Sequence, residues 1–292
     1  GGSYNNNGSV TVTWNGSDAT TGIDRYAYST DGSTWTNSTE LNRTFSLTDG
    51  EHTVHVRAYD MAGNFDQTGV VFIVDTAVPE ISITSPAGGS YNANGNVTVT
   101  WEGSDATSGI DRFAYGIDGT TWTVTDDPNR TFSFADGTHT VYVRAYDSAG
   151  NFNQTNVTLI VDTVAPTATV SPTGEDVALN ATITVIFSEA MDADGTQMTV
   201  SGVGGSIIWN GSTATFTPSS LAYNGEYTVN VSGRDMAGNV MAMSWNFSTI
   251  EVGFVTGTLV DAEGNVQVNR TVRLSNGMTA VTGDDGVFRF DN

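Results

Sequence analysis

Asparagine followed two places later by serine or threonine is the acceptor pattern for N-linked glycans. It occurs at Asn7, Asn15, Asn37, Asn42, Asn96, Asn129, Asn153, Asn156, Asn180, Asn210, Asn230, Asn246 and Asn269. Chance would supply about half a dozen such triplets at this Asn, Ser and Thr content, so the excess is roughly twofold. N-linked glycans are therefore expected, on outward strand faces and turns where a sugar displaces no packing. A second chemistry lies in the carboxylates. Asp60, Asp147 and Asp235 each open an Asp-x-Ala-Gly-Asn turn, while Asp75 and Asp162 stand in Val-Asp-Thr tripeptides shortly before Pro79 and Pro166. Hard oxygen donors of this kind suit Ca²⁺. Asp192-Ala193-Asp194-Gly195 is too short to be an Asp-x-Asp-x-Asp-Gly calcium loop.

Other chemistries are poorly served. There is no cysteine, and all ten basic residues are arginine. That removes thiolate metal sites, disulfides, a phosphate-loop lysine and a Schiff-base lysine. Only His52, His55 and His139 are available, and none recurs with a serine partner, so a histidine triad or zinc site is not expected. Asp126 and Asp127 adjoin in a turn rather than a cleft. No catalysis is expected. The formal net charge of −22 repels phosphate backbones and anionic lipids, which argues against nucleic acid and anionic membranes as partners. No apolar run is long enough to span a bilayer, and no signal peptide is visible, so any export signal or anchor is expected outside this chain.

The elements that must position these residues announce themselves by repetition. Trp14, Gly22-Ile23-Asp24-Arg25, Trp35, Asn42-Arg43-Thr44-Phe45, Arg57-Ala58-Tyr59-Asp60 and Val74-Asp75-Thr76 recur about 87 residues later. The counterparts are Trp101, Gly109-Ile110-Asp111-Arg112, Trp122, Asn129-Arg130-Thr131-Phe132, Arg144-Ala145-Tyr146-Asp147 and Val161-Asp162-Thr163. Gly1-Gly2-Ser3-Tyr4 likewise returns as Gly88-Gly89-Ser90-Tyr91. Within each copy Val10, Val12 and Trp14 alternate with threonine, which predicts one buried and one wet face. Asp31-Gly32 and Asp49-Gly50 are turns, and the last strand is expected to face inward at Val70, Phe72 and Val74. Helical periodicity is nearly absent. The chain reads as all-β: tandem immunoglobulin-like β-sandwiches in an elongated rod, about seven short strands each.

Four modules are expected. Residues 1–76 form the first, without the strand that Ile81-Ser82-Ile83-Thr84 supplies to its repeat at 77–163. Residues 164–250 form a third, closed by Asp235-Met236-Ala237-Gly238-Asn239, and 251–292 hold about half of a fourth. The first two resemble bacterial-type Ig-like modules of surface proteins, on the strength of Gly22-Ile23, Asp31-Gly32 before Trp35, and the corner from Arg57 to Asn64. The third resembles the Ig-like domain of S-layer proteins through Phe187-Ser188-Glu189-Ala190-Met191-Asp192. The fourth is similar to a carboxypeptidase-regulatory-like or collagen-adhesin B-type sandwich through Gly257-Thr258-Leu259-Val260-Asp261 and Asp284-Asp285-Gly286-Val287-Phe288.

In an Ig-like sandwich, two loops at one end face the preceding module. Asp75 is thus expected beside Asp105, Asp111, Asp147 and Asn151, and Asp162 beside Asp235, each set a calcium site at a module junction. Trp14 and Trp101 are expected in the core. Trp35 and Trp122 follow a hairpin turn and are expected to pack beneath it, while an exposed ring there would suit carbohydrate. The resemblance implies an extracellular or cell-surface structural protein, a stalk, S-layer, filament or adhesin component. Its expected partners are further copies or neighbouring surface subunits. The alternative is an accessory region of a secreted carbohydrate-active enzyme.

Overall fold

A computed structural model describes residues 3–291, which leaves Gly1 and Gly2 of the repeat motif and Asn292 outside the described residues. No helix occurs among the described residues, so none could cross a membrane. The chain divides into two compact units, Gly1–Thr163 and Val164–Asn292.

The first unit holds both repeats. The first repeat contributes β1 (Ser3–Asn5), β2 (Ser9–Thr13), β3 (Ile23–Ser29), β4 (Thr36–Ser38), β5 (Asn42–Ser46), β6 (Gly50–Asp60) and β7 (Phe65–Val74). A five-stranded sheet in the order β1-β7-β6-β3-β4 packs against the pair β2-β5. The second repeat contributes β8 (Glu80–Ser85), β9 (Tyr91–Asn92), β10 (Asn96–Ser104), β11 (Ile110–Gly116), β12 (Thr123–Thr125), β13 (Asn129–Ser133), β14 (Gly137–Asp147) and β15 (Phe152–Val161). Its sheets are β12-β11-β14-β15-β9 and β13-β10-β8.

Alternation builds each core. Along β10, Val97, Val99 and Trp101 point inward while Asn96, Thr98 and Glu102 stay wet. They meet Val141, Val143, Val157, Leu159 and Val161 from the opposite sheet. Each such aliphatic side chain stabilises the fold by about 1.5–3 kcal/mol through burial.

The first repeat departs from this pattern in two places. Phe72 and Val74 are buried as their phase predicts, but Val70 is 40% exposed, whereas its counterpart Val157 is 5% exposed. Trp14, expected in the core, is only half-buried, against 2% exposure for Trp101. The cause is β8. Its residues Ile81 and Ile83 pack onto the second core, and among the described residues no strand occupies that place in the first.

The second unit opens with β16 (Ala168–Ser171), β17 (Gly174–Val177), β18 (Ile183–Phe187), β19 (Gln197–Val200), β20 (Gly205–Asn210), β21 (Thr213–Pro218), β22 (Glu226–Arg234) and β23 (Val240–Thr249). Two four-stranded sheets, β16-β18-β21-β20 and β17-β23-β22-β19, enclose a core around Ile183, Val185, Phe216, Val229 and Phe247. Thereafter β24 (Phe254–Thr258) pairs with β27 (Val287–Asp291), and β25 (Thr271–Arg273) with β26 (Thr279–Val281).

Candidate metal centre between the two repeats

Asp75 leaves the end of β7, where its N–H donates to the Asn5 carbonyl at 2.8 Å. This bond turns the side chain into the joint with the second repeat, and the residue is fully buried. Its Oδ1 accepts the Ala77 N–H at 3.1 Å. Its Oδ2 is buried and has no hydrogen-bond partner. Asp147 ends β14 and is also buried. There the chain reverses through Gly150, whose φ of +94° favours glycine, and returns the Asn151 N–H to Asp147 Oδ1 at 2.8 Å. The Asn151 amide nitrogen donates to Asp147 Oδ2 and to the Asp75 carbonyl, both at 2.8 Å. Asp105, half-buried in the loop before β11, accepts three N–H donors on Oδ1: Ser108 at 2.8 Å, Thr107 and Gly109 at 3.0 Å.

These turns gather carboxylate oxygens of Asp75, Asp105 and Asp147 within 4.8 Å of one another. Burial opposes the charge on Asp105, yet the Ser108, Gly109 and Thr107 N–H donors prevail and hold its carboxyl below the ordinary aspartate range. None of the ion pairs among the described residues reaches these three aspartates. Burying unpaired carboxylates together is costly, by several kcal/mol per ion in general. A divalent cation removes that cost. The donor set is all oxygen, with no thiolate or imidazole, and it carries one buried oxygen with a vacant lone pair. It fits Ca²⁺ and not a softer metal.

The profile of a family described as "Bacterial Ig domain" matches residues 79–143, and that of "Bacterial Ig-like domain" matches residues 158–249. These two segments are bacterial Ig-like domains. Among solved structures the chain is similar to fibronectin(III)-like modules of Clostridium thermocellum CbhA. That match has 18% identity and a TM-score of 0.39 over 55% of this chain and 90% of that one. It is also similar to a tetra-tandem repeat in the extending region of a large adhesion protein (18% identity, 97% and 86% covered, TM-score 0.31). A third match is a structure titled for host cell surface retention of a 1.5-MDa bacterial ice-binding adhesin (19% identity, 84% and 91% covered, TM-score 0.37). No curated protein matches the sequence.

One remaining candidate, Asp111, is placed differently. Asp111 stays outside the cluster: it is exposed and forms an ion pair with Arg112. The register of β11 against β14 shifts between Ile110 and Arg112, and that irregularity directs Asp111 to solvent. Asp162 and Asp235 belong to different units. Asp162 follows β15 and donates its N–H to the Asn92 carbonyl at 3.0 Å. Asp235 is buried in the second unit, where Oδ1 accepts Ala237, Gly238 and Asn239 N–H groups at 2.7–2.9 Å. The thirteen acceptor asparagines, from Asn7 to Asn269, are all exposed.

Trp35 and Trp122 are half-buried, and arginine covers their rings. The guanidinium of Arg57 lies 3.7 Å from the Trp35 centroid, and that of Arg144 lies 3.8 Å from Trp122. In all, seven of the ten arginines lie over aromatic rings. His52 and His139 each bond a turn carbonyl, Thr48 at 2.6 Å and Ala135 at 2.7 Å, which gives both a structural place. Sequence reasoning missed one arrangement. The first repeat carries the same loop aspartates: Asp18 accepts Thr20, Thr21 and Gly22 N–H groups, and Asp60 accepts Ala62 and Asn64. The 87-residue shift would have found them, as it maps Asp18 to Asp105 and Asp60 to Asp147.

Proposed function

We propose that this chain is a non-catalytic, structural segment of an extracellular surface protein, of the stalk, surface-layer, filament or adhesin kind, with a calcium ion at the joint of its two repeats. The observation that carries the reading is the buried Asp75 Oδ2, which has no partner and lies among the Asp105 and Asp147 carboxylates. Asp75, Asp105 and Asp147 would hold the ion. It would neutralise their charge and tie the end of β7 to the loops of the second repeat. Exposure of all thirteen acceptor asparagines supports a glycosylated surface.

Calcium titration with thermal unfolding tests this. A ligand at a hundred times its Kd stabilises by about 2.7 kcal/mol, so calcium is expected to raise the melting temperature and EDTA to reverse the gain. Asp75→Asn should abolish the calcium increment. The same substitution should melt higher than wild type in EDTA, because it removes one of three clustered charges. A wild-type melting temperature indifferent to both calcium and EDTA would refute the ion.

A further inference from the structure

The third module manages its sheet edges unevenly. An unpaired edge invites another strand, and proteins blunt such edges by shortness, charge, proline or a bulge. Three of the four edges here are blunted. β19 has only four residues, and β16 has four and runs into Pro172. β17 carries Glu175 and Asp176 and a break in its register against β23. β20 is different. Its six residues, Gly205–Asn210, include neither charge nor proline, and all six pair with β21 without a shift. Its other edge pairs with no strand among the described residues.

Charge singles out the same place. The chain carries a net charge of −22, so two copies repel wherever acidic surfaces meet. The sheet β16-β18-β21-β20 has no charged residue in any of its strands. The sheet packed against it carries Glu175, Asp176, Glu226 and Arg234. The outer face of the uncharged sheet is mostly serine and threonine, with Ile186 and Ile208 standing exposed. Ile208, on β20 itself, is 66% exposed. On the inner phase of β20, Ile207 is still 37% exposed, and the half-buried Trp209 stacks on Phe187 at 5.7 Å. In so acidic a chain, an uncharged, apolar, unpaired strand fits a surface of its own kind, and a second copy supplies one.

We propose that β20 is a self-association edge. Two copies add β20 to β20, antiparallel, about a twofold axis through Ile208, and their two four-stranded sheets become one continuous sheet. A twofold axis normal to the sheet keeps outer face beside outer face, so only residues of like phase can stand opposite. Ile208 then meets Ile208 of the second copy on the outer side. Ile207 meets Trp209 on the inner side, and Ser206 meets Asn210. Centring on Ile207 instead would set Ile208 against Ser206 and lose the isoleucine pair. The pairing needs neither the calcium ion nor the glycans. A glycan on Asn210 would crowd it, because that residue lies within the paired segment.

The test uses the full chain, produced without glycans and held in EDTA, so that neither a sugar on Asn210 nor calcium bridging between acidic surfaces enters. A joint of one strand pair holds weakly, so small-angle X-ray scattering and hydrogen-exchange mass spectrometry follow the chain up to about 1 mM. A concentration-dependent dimer is expected, with exchange slowed at residues 206–210. Added salt should strengthen it, because salt screens the repulsion between copies and leaves an uncharged edge untouched. Ile208→Lys and Ile208→Glu should each weaken the dimer at least about tenfold, since like charges then stand opposite. Both should leave the melting temperature in place, because Ile208 is exposed. An equimolar mixture of the two variants should associate again through the opposite charges. A chain that stays monomeric at about 1 mM leaves the edge to another occupant and overturns the inference. A dimer with unchanged exchange at 206–210, undiminished association of either variant, or a mixture no tighter than its components overturns it as well.

Discussion

Asp31 and Asp118 occupy the same hairpin turn in the two repeats. Asp31 Oδ1 accepts N–H groups from Thr34 at 2.7 Å and Ser33 at 2.8 Å, and Asp118 accepts Thr121 at 2.6 Å and Thr120 at 2.8 Å. These donors hold both carboxyls far below the ordinary value of 3.8. Asp18 and Asp261 are lowered first by backbone donors, Thr21 and Asn265, and Asp60 and Asp192 first by the side chains of Asn64 and Arg234. A carboxyl lowered by folding stabilises the native state fully above its unfolded value. As pH falls, the unfolded chain takes up protons first, and the contribution disappears as pH passes through the folded value. Thermal melts followed by circular dichroism should therefore hold a plateau above about pH 5 and fall steeply below about pH 4. The turn role of Asp31-Gly32 was legible in the sequence because the chemistry is local. Which aspartates would share a buried joint was legible only in part. Asp75, Asp105 and Asp147 come together, but Asp111 sits at a register irregularity of β11, repeated in β3 over the same Gly-Ile-Asp-Arg residues, and stays exposed.

At the scale of elements, the repeat offers an internal control that few chains provide. Alternation correctly assigned the phase of β7, as the burial of Phe72 and Val74 shows, and the same phase buries Val157 in its copy β15. It could not assign the exposure of Val70, because that depends on a strand far away in sequence. Trp101 and Trp14 make the same point quantitatively. Truncating a buried tryptophan to alanine costs about 3–5 kcal/mol. Trp101→Ala should cost that much in denaturant unfolding of the second repeat, and Trp14→Ala markedly less in the first. Segment-resolved hydrogen exchange reads the two separately. Equal costs would mean that the half-buried Trp14 contributes as much as its buried counterpart Trp101.

For the whole molecule, the bacterial Ig-like assignment of 79–143 and 158–249 rests on patterns visible in the sequence: duplicated strands, Asp-Gly turns and the Asp-x-Ala-Gly-Asn corner. The acceptor asparagines belong to this scale too, because all thirteen are exposed and they occur in both units. Peptides spanning these asparagines, taken from protein purified from its native source, should carry a mass excess that deglycosylation removes, as mass spectrometry would show. The arginines clasped over aromatic rings have a different consequence. Trypsin-like enzymes cut after arginine or lysine, on chain that can be drawn out into their cleft. Nine of the ten arginines lie inside strands, and Arg270 alone sits outside one. With no lysine present, limited digestion of the folded chain by such an enzyme should begin at the bond after Arg270.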